Sequence, residues 1–429
     1  MQYSQPFGVP PAPIIPPTRP PDGSAWPRYV NGNPVTGTAG SIPPNTAFDE
    51  DQLEIVNVII NAGLTPSHSD VTQLWQSLMA LFAQKYITTA IIKTVHGSGA
   101  DFPDLIAALN WLGEYIITPS GSVTFMVAAG KWTYTNFVEL NHPNINRVTI
   151  QGAALLGAAP VPGNISVTGY KSATDGTNQI IYLRSVFATE LSFTGGVNGF
   201  NVYRGGATLR YLLITGSQTV ALNQGIAVMI RGADLNVDCL AVWGFGNTAF
   251  DIMFGALRAV SALSITCCYN GWWSINLFGG TLQMPGTGHL ILASSMGAIN
   301  VFASSVGSPI VDVRGHNTPS GNTAVQGESG SQIAFNSGSN YSINNQTPIV
   351  ISGRSTFQSE QSTYQNNVGD GIDVYGGLAW VDDSTFSGNS VRAITCGNGA
   401  DVEALRCSLG GGTYPAINTA AVQNSYIYA

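Results

Sequence analysis

The chain has 429 residues and 44% hydrophobic content, which excludes general disorder and allows two or three domains or one elongated solenoid. Charged residues make up only 9%, against roughly 25% in an ordinary globular protein, so uncharged polar groups must cover most of the surface. The net charge of −8 and the lack of any Lys/Arg cluster exclude phosphate neutralisation on a nucleic acid, and no apolar run reaches the roughly 18 residues of a membrane span.

Residues 1–46 are punctuated by Pro10-Pro11, Pro16-Pro17, Pro20-Pro21 and Pro43-Pro44 and read as an extended, polyproline-like arm. The opening Met1-Gln2-Tyr3-Ser4-Gln5-Pro6 lacks a basic region followed by an apolar core, so no signal peptide is expected. Phe7, Ile14, Ile15, Trp26 and Tyr29 sit awkwardly in a solvated linker, and they favour an arm that docks onto another protein. Residues 47–95 read as a two-helix module. Asp49 and Gln52 form a capping-box-like start, Leu53, Val56 and Ile60 share a face, and Gly63-Leu64-Thr65-Pro66 stops the first helix. Ser67 and Asp70 start the second, in which Val71, Leu74, Trp75, Leu78 and Phe82 recur at helical spacing. A pair this short cannot bury both faces, which predicts an oligomerising or anchoring role.

From His96 the texture changes, and residues 96–206 read as a capping helix with the first coils of a β-solenoid. Asp101-Phe102-Pro103-Asp104 caps a helix carrying Leu105, Leu109 and Leu112 that ends at Gly113. The strands Val123–Val127 and Arg147–Gly152 follow, with a turn predicted over Ala129–Tyr134. Such a helix covers the open end of a coil stack, which otherwise exposes core and unpaired edges.

Residues 207–429 carry the regular coils. Leu209, Leu235, Leu257 and Leu282 are expected to start equivalent strands, at spacings of 26, 22 and 25, with Ile310–Val313 and Ile333–Asn336 continuing the series. Three clean copies then begin at Gly353, with Gly353 to Gly376 spanning 23 residues and Gly376 to Gly397 spanning 21. That period suits one turn of short strands. Alternating residues fill the inside, Ser, Thr, Asn and Asp face water, and Gly and Asn supply the corners. Nine or so coils at about 4.8 Å each give a rod of about 40 Å.

Glycoside hydrolysis needs two carboxyls about 5–5.5 Å or 6.5–9.5 Å apart. Aligning Asn366 with Asn389 places Glu360 over Asp383 one coil away, which makes these two the catalytic candidates, with Asp373 and Asp382 near in sequence. The competing reading is a corner-capping Asp383 and a solvated Glu360. Asp234, Asp238 and Asp251, flanked by Arg231 and Arg258, form a second acidic group, with surface ion pairs as its alternative. His68, His96, His142, His289 and His316 show no metal spacing, and no metal or cofactor is expected. Cys239, Cys267, Cys268, Cys396 and Cys407 are odd in number and lack CxxC spacing, which fits reduced, buried fillers made in a reducing cytoplasm. Aromatics concentrate between Trp243 and Phe278. In Trp272-Trp273 the rings must face opposite sides of a strand, which leaves one outside as the expected glycan contact.

The lead-in Gly97-Ser98-Gly99-Ala100-Asp101-Phe102 with its helix, the Ala-Gly-Lys-Trp-Thr-Tyr segment, the Val-Thr-Ile-Gln-Gly strand and the Phe-Ser-Gly-Asn corner resemble the pectate-lyase-like right-handed parallel β-helix. The Pro-rich arm with two helices resembles the attachment end of bacteriophage tail fibre and tailspike proteins. This resemblance implies a mainly β chain, a homotrimer held in the phage virion through contacts of its N-terminal region with tail or baseplate proteins. It also implies recognition of a host surface polysaccharide. Some such proteins cleave the glycan, so a depolymerase is the alternative; a connector docking another fibre protein at the C-terminal end is a further one. No catalytic motif of either group matches residue by residue, and the sparse acidic residues favour attachment without cleavage.

Overall fold

The structure is a computed structural model that describes residues 46–67, 70, 72–82, 85–160, 173–217, 225–260, 265–268, 270–284, 289–292, 297–308, 311–314, 323–335, 339–342, 347–389, 391–409, 417–422 and 425–428. The arm residues Phe7, Ile14, Ile15, Trp26 and Tyr29 lie outside them, as do His68, Val71 and His316. The chain divides into two units, residues 1–84 and 85–429.

In the first unit, α1 (Thr46–Asn61) starts three residues before the expected Asp49 and ends at Gly63, whose φ of +79° and N–H bond to the Ile60 carbonyl close the last turn. Gln73, at the start of α2 (Gln73–Phe82), staples the connecting loop. Its amide donates to the Thr65 carbonyl at 2.7 Å and accepts from the Ser67 N–H at 2.6 Å. Asp70 lies before the helix, with its carboxylate on the Thr72 N–H and hydroxyl. Ile59 is buried, Val56 and Leu78 are half-buried, and Ile60, Leu74 and Trp75 face out, Trp75 at 66% exposure. The side chains of Leu53 and Phe82 are outside the described set.

The second unit is a parallel β-solenoid of three sheets. Sheet 1 holds eleven strands, from Val138–Leu140 to Ile417–Val422. Sheet 2 begins with Ala90–Val95 and runs to Tyr426–Tyr428; sheet 3 runs from Gly130–Tyr134 to Ser408–Leu409. Two long strands, Ala207–Thr215 and Asp234–Trp243, serve sheets 2 and 3 in turn, and bend at Tyr211 and Cys239, whose φ angles are +54° and +49°. Each coil thus follows the expected strand–corner rhythm. Its inner positions stack in register, as in the sheet 1 ladder Ile349, Ile372, Ile394 and the sheet 3 ladder Tyr341, Tyr364, Phe386, with ring centroids 4.9 and 4.5 Å apart. Full burial of each such side chain contributes about 1.5–3 kcal/mol.

The register corrects several sequence expectations. Lys85–Ile87 and Ala90–Val95, expected with the helices, pair with Tyr115–Ile117 and Ser122–Val127 of the solenoid unit. Gly130–Tyr134, expected as a turn, is a strand paired with Thr189–Phe193. Leu209 pairs with Val237 and not Leu235, whereas Leu235, Leu257 and Leu282 do align; Val306 and Ile333 continue that column, while Val311–Arg314 belongs to sheet 3. The helix expected after Asp104 is present. In α3 (Leu105–Leu112) Asp104 accepts from the Ala107 N–H at 2.7 Å, and Leu105, Ala108 and Leu112 join the same core as Val123 and Phe125. A further helix, α4 (Ala173–Val186), was not foreseen. It lays Ile180, Leu183 and Val186 against Leu213, Ala241 and Trp243, and Arg184 grips the buried Glu190 carboxylate at 2.7 and 2.8 Å.

Candidate functional site

The outer face of sheet 2 carries two columns of side chains in strict register. One reads Thr281, Ser305, Gln332, Thr356, Leu378, Asp401 and Tyr426 along successive coils. The other reads Arg258, Gln283, Gly307, Ala334, Gln358, Trp380, Glu403 and Tyr428. In the second column every residue is long except Gly307 and Ala334, so the surface sinks there. The depression is an open groove of about 380 Å³, walled by Ser305 and Gln332, floored by Gly307 and Ala334, and bounded by Gln283 at one end and Gln358 with Trp380 at the other.

The two end amides are held in opposite senses. Arg258 Nε donates to the Gln283 carbonyl oxygen at 3.2 Å while its Nη1 meets Asp234 at 2.7 Å, which leaves the Gln283 NH2 as donor. Gln358 spends one of its two amide hydrogens on Glu360 at 2.8 Å, which leaves its carbonyl as acceptor and one N–H as donor. Donors at one end and a donor with an acceptor at the other suit hydroxyl groups, which both donate and accept. Glu360 thus positions a rim residue of the groove.

The expected pairing of Glu360 with Asp383 fails by one residue. The sheet 3 register puts Thr363 against Thr385 and Tyr364 against Phe386, so Asn367, not Asn366, meets Asn389, with Nδ2 to Oδ1 at 3.0 Å. Asn366 instead sits at a corner opposite Gly388, with φ of +55° and +64°. Asp383 therefore lies opposite Gln361, and Arg406 binds it through two bonds of 2.7 and 2.8 Å. That guanidinium holds the Asp383 carboxyl below its usual range. Asp382 accepts from the Leu405 N–H at 2.7 Å.

Trp272 and Trp273 separate as their spacing predicts. Trp273 opens the strand Trp273–Phe278 at 3% exposure, its ring over Gly297, while Trp272 is 36% exposed. Asp234, Asp238 and Asp251 do not gather; they pair one to one with Arg258, Arg210 and Arg231. Among the described residues no three His, Cys, Asp or Glu side chains group as metal ligands, and Cys239, Cys396 and Cys407 carry free thiols.

Sequence reading missed a second feature, on sheet 1. The Asp370 and Asp373 carboxyls meet side chain to side chain, and Thr395 Oγ1 donates to Asp370 Oδ2 at 2.8 Å. Oδ1 of each is buried with no hydrogen-bond partner among the described residues. Burial, then the Asp370 charge, pushes the Asp373 carboxyl up to about 8. Near neutral pH Asp373 therefore keeps its proton, next to the half-exposed Tyr375. The sequence signal was the spacing Asp-x-x-Asp, which places a corner residue and a strand residue on one surface.

No protein-family model and no curated protein matches the chain. Among solved structures, the catalytic domain of a GH87 alpha-1,3-glucanase in complex with nigerose is similar at a TM-score of 0.37 and 13% identity, over 80% of this chain and 68% of that one.

Proposed function

We propose that the chain is a subunit of a bacteriophage tail fibre or tailspike that attaches to the host by binding a surface polysaccharide in the sheet 2 groove. The groove carries this reading. It combines amides fixed as donor and acceptor, hydroxyls of Thr281, Ser305 and Thr356, and the Trp380 ring in one open depression. Its size falls within the roughly 300–1,000 Å³ of small-ligand sites. Its side chains match a polyol, and an open groove admits a chain that continues past both ends. The virion assignment rests on the resemblance of the arm and helix pair to phage attachment regions. Affinity electrophoresis in gels cast with host capsular polysaccharide or lipopolysaccharide tests the glycan half. Trp380→Ala is expected to weaken retention about tenfold, some 1.4 kcal/mol, with the fold unchanged by circular dichroism; equal retention contradicts the assignment.

A depolymerase is the second reading, and Asp373 beside Asp370 favours it, since a carboxyl raised to about 8 keeps a proton to donate near neutral pH. Side chains in contact are closer than the roughly 5–5.5 Å of the retaining geometry or the roughly 6.5–9.5 Å of the inverting one, which places this reading behind simple attachment.

A further inference from the structure

Resting on the proposed glycan groove, we infer its ligand class: an uncharged polysaccharide strand lying along the rod axis, seated over Gly307 and Ala334. Direction follows from shape. The groove draws on five successive coils of sheet 2, four steps of about 4.8 Å or about 19 Å in all, but is only one strand wide, with same-face positions about 6.6 Å apart. A chain laid across the coils has no walls to follow, whereas one laid along them meets Gln283, Gln332 and Gln358 in turn.

Charge selection follows from what the walls lack. No residue lining the groove is ionisable. The cation beside it, Arg258, is committed to Asp234 at 2.7 Å and to the Gln283 carbonyl. Glu360 lies behind Gln358, and Glu403 follows Trp380 in register. A uronate or sulfate entering the groove loses water, gains no counter-charge and faces carboxylates, so burial disfavours it. A neutral sugar exchanges water hydrogen bonds for amide and hydroxyl ones at no such cost.

Gly307 provides a clean test. A Cβ built on it meets nothing within 4 Å, and its φ is not in the left-handed range. Gly307→Gln combined with Ala334→Gln extends the glutamine ladder through the depression and fills it without touching the core. Wild type, this double variant and Thr385→Gln, an exposed sheet 3 control, are compared by affinity electrophoresis. The probes are dextran, galactomannan and a neutral bacterial glucan on one side and polygalacturonate and hyaluronate on the other, at low and high salt. The inference expects salt-insensitive retention by at least one neutral glycan, lost at least tenfold in the double variant and kept in the control. Salt-sensitive retention by polyanions alone, abolished by the filling, overturns the ligand class and leaves the groove standing. Retention unaffected by the filling overturns the groove itself, and retention by no probe overturns both.

Discussion

Asp373 carries a pH dependence whose sign is fixed. Its carboxyl, raised to about 8 by burial and by Asp370, keeps a proton in the folded chain that the unfolded chain releases near the ordinary value of 3.8. The folded state therefore binds more protons between these values, so stability is greatest below about pH 4, falls as pH rises to about 8, and is flat above. Asp373→Asn keeps the shape, removes the titration, and can donate to Asp370. It is expected to raise stability, and with it the melting temperature, more at pH 8 than at pH 5, by an amount on the order of 1 kcal/mol or more. Parallel pH profiles of the melting temperature for the two proteins contradict a raised Asp373 carboxyl. A single residue also explains the failed Glu360–Asp383 alignment. Asn366 and Asn367 are adjacent asparagines, one at a positive-φ corner and one in the inner ladder, and spacing alone does not tell them apart. Choosing the wrong one shifts every partner by a position, and in a structure of period two that exchanges faces.

At the scale of elements, α2 presents Leu74 and Trp75 outward. Gln73 and Ser77 are buried, the latter bonding back to the Gln73 carbonyl at 2.7 Å, while Leu74 and Trp75 are exposed. We propose that these two side chains, with Ile60 of α1, pack against other copies of the chain. Leu74→Ser with Trp75→Ser is expected to convert a trimer to monomers in analytical ultracentrifugation while the solenoid melts as before; an unchanged trimer removes the helix pair from the interface. The helices with strong apolar periods, α1, α2 and α3, were legible in the sequence; Gly63 and Gly113 mark the ends of α1 and α3 and Asp104 the start of α3, whereas Asp49 lies inside α1 and α2 begins six residues after Ser67. In α4 Ile180 and Leu183 have helical spacing, but Gly176, Thr177 and Asn178 just before them are weak helix formers. What makes it a helix is tertiary, a buried face on sheet 3 and the Arg184–Glu190 bonds. Ala129–Tyr134 was misread for the same reason. Its exposed Lys131 and Thr133 suggest a turn, and the strand is held by pairing with residues some sixty positions away.

Across the whole molecule, the low charge and repeated Gly-bounded units made the parallel β-solenoid legible from composition and period, since a coil of this length has few other ways to bury its apolar side. The groove was not legible. It is made by two missing side chains, Gly307 and Ala334, between glutamines 75 residues apart in sequence, Gln283 and Gln358, and only the register brings the four into one column. Of its surroundings the sequence pointed only to Glu360, as a candidate acid instead of a support for Gln358. We propose that this rod binds glycan without cutting it. The most direct measurement incubates the purified full chain with capsular and lipopolysaccharide extracts of candidate hosts, and scores binding together with new reducing or unsaturated ends. The account predicts binding with no new ends. New ends that vanish in Asp370→Asn or Asp373→Asn, with binding kept, contradict it in favour of a depolymerase, and absence of binding to every extract contradicts the glycan role altogether.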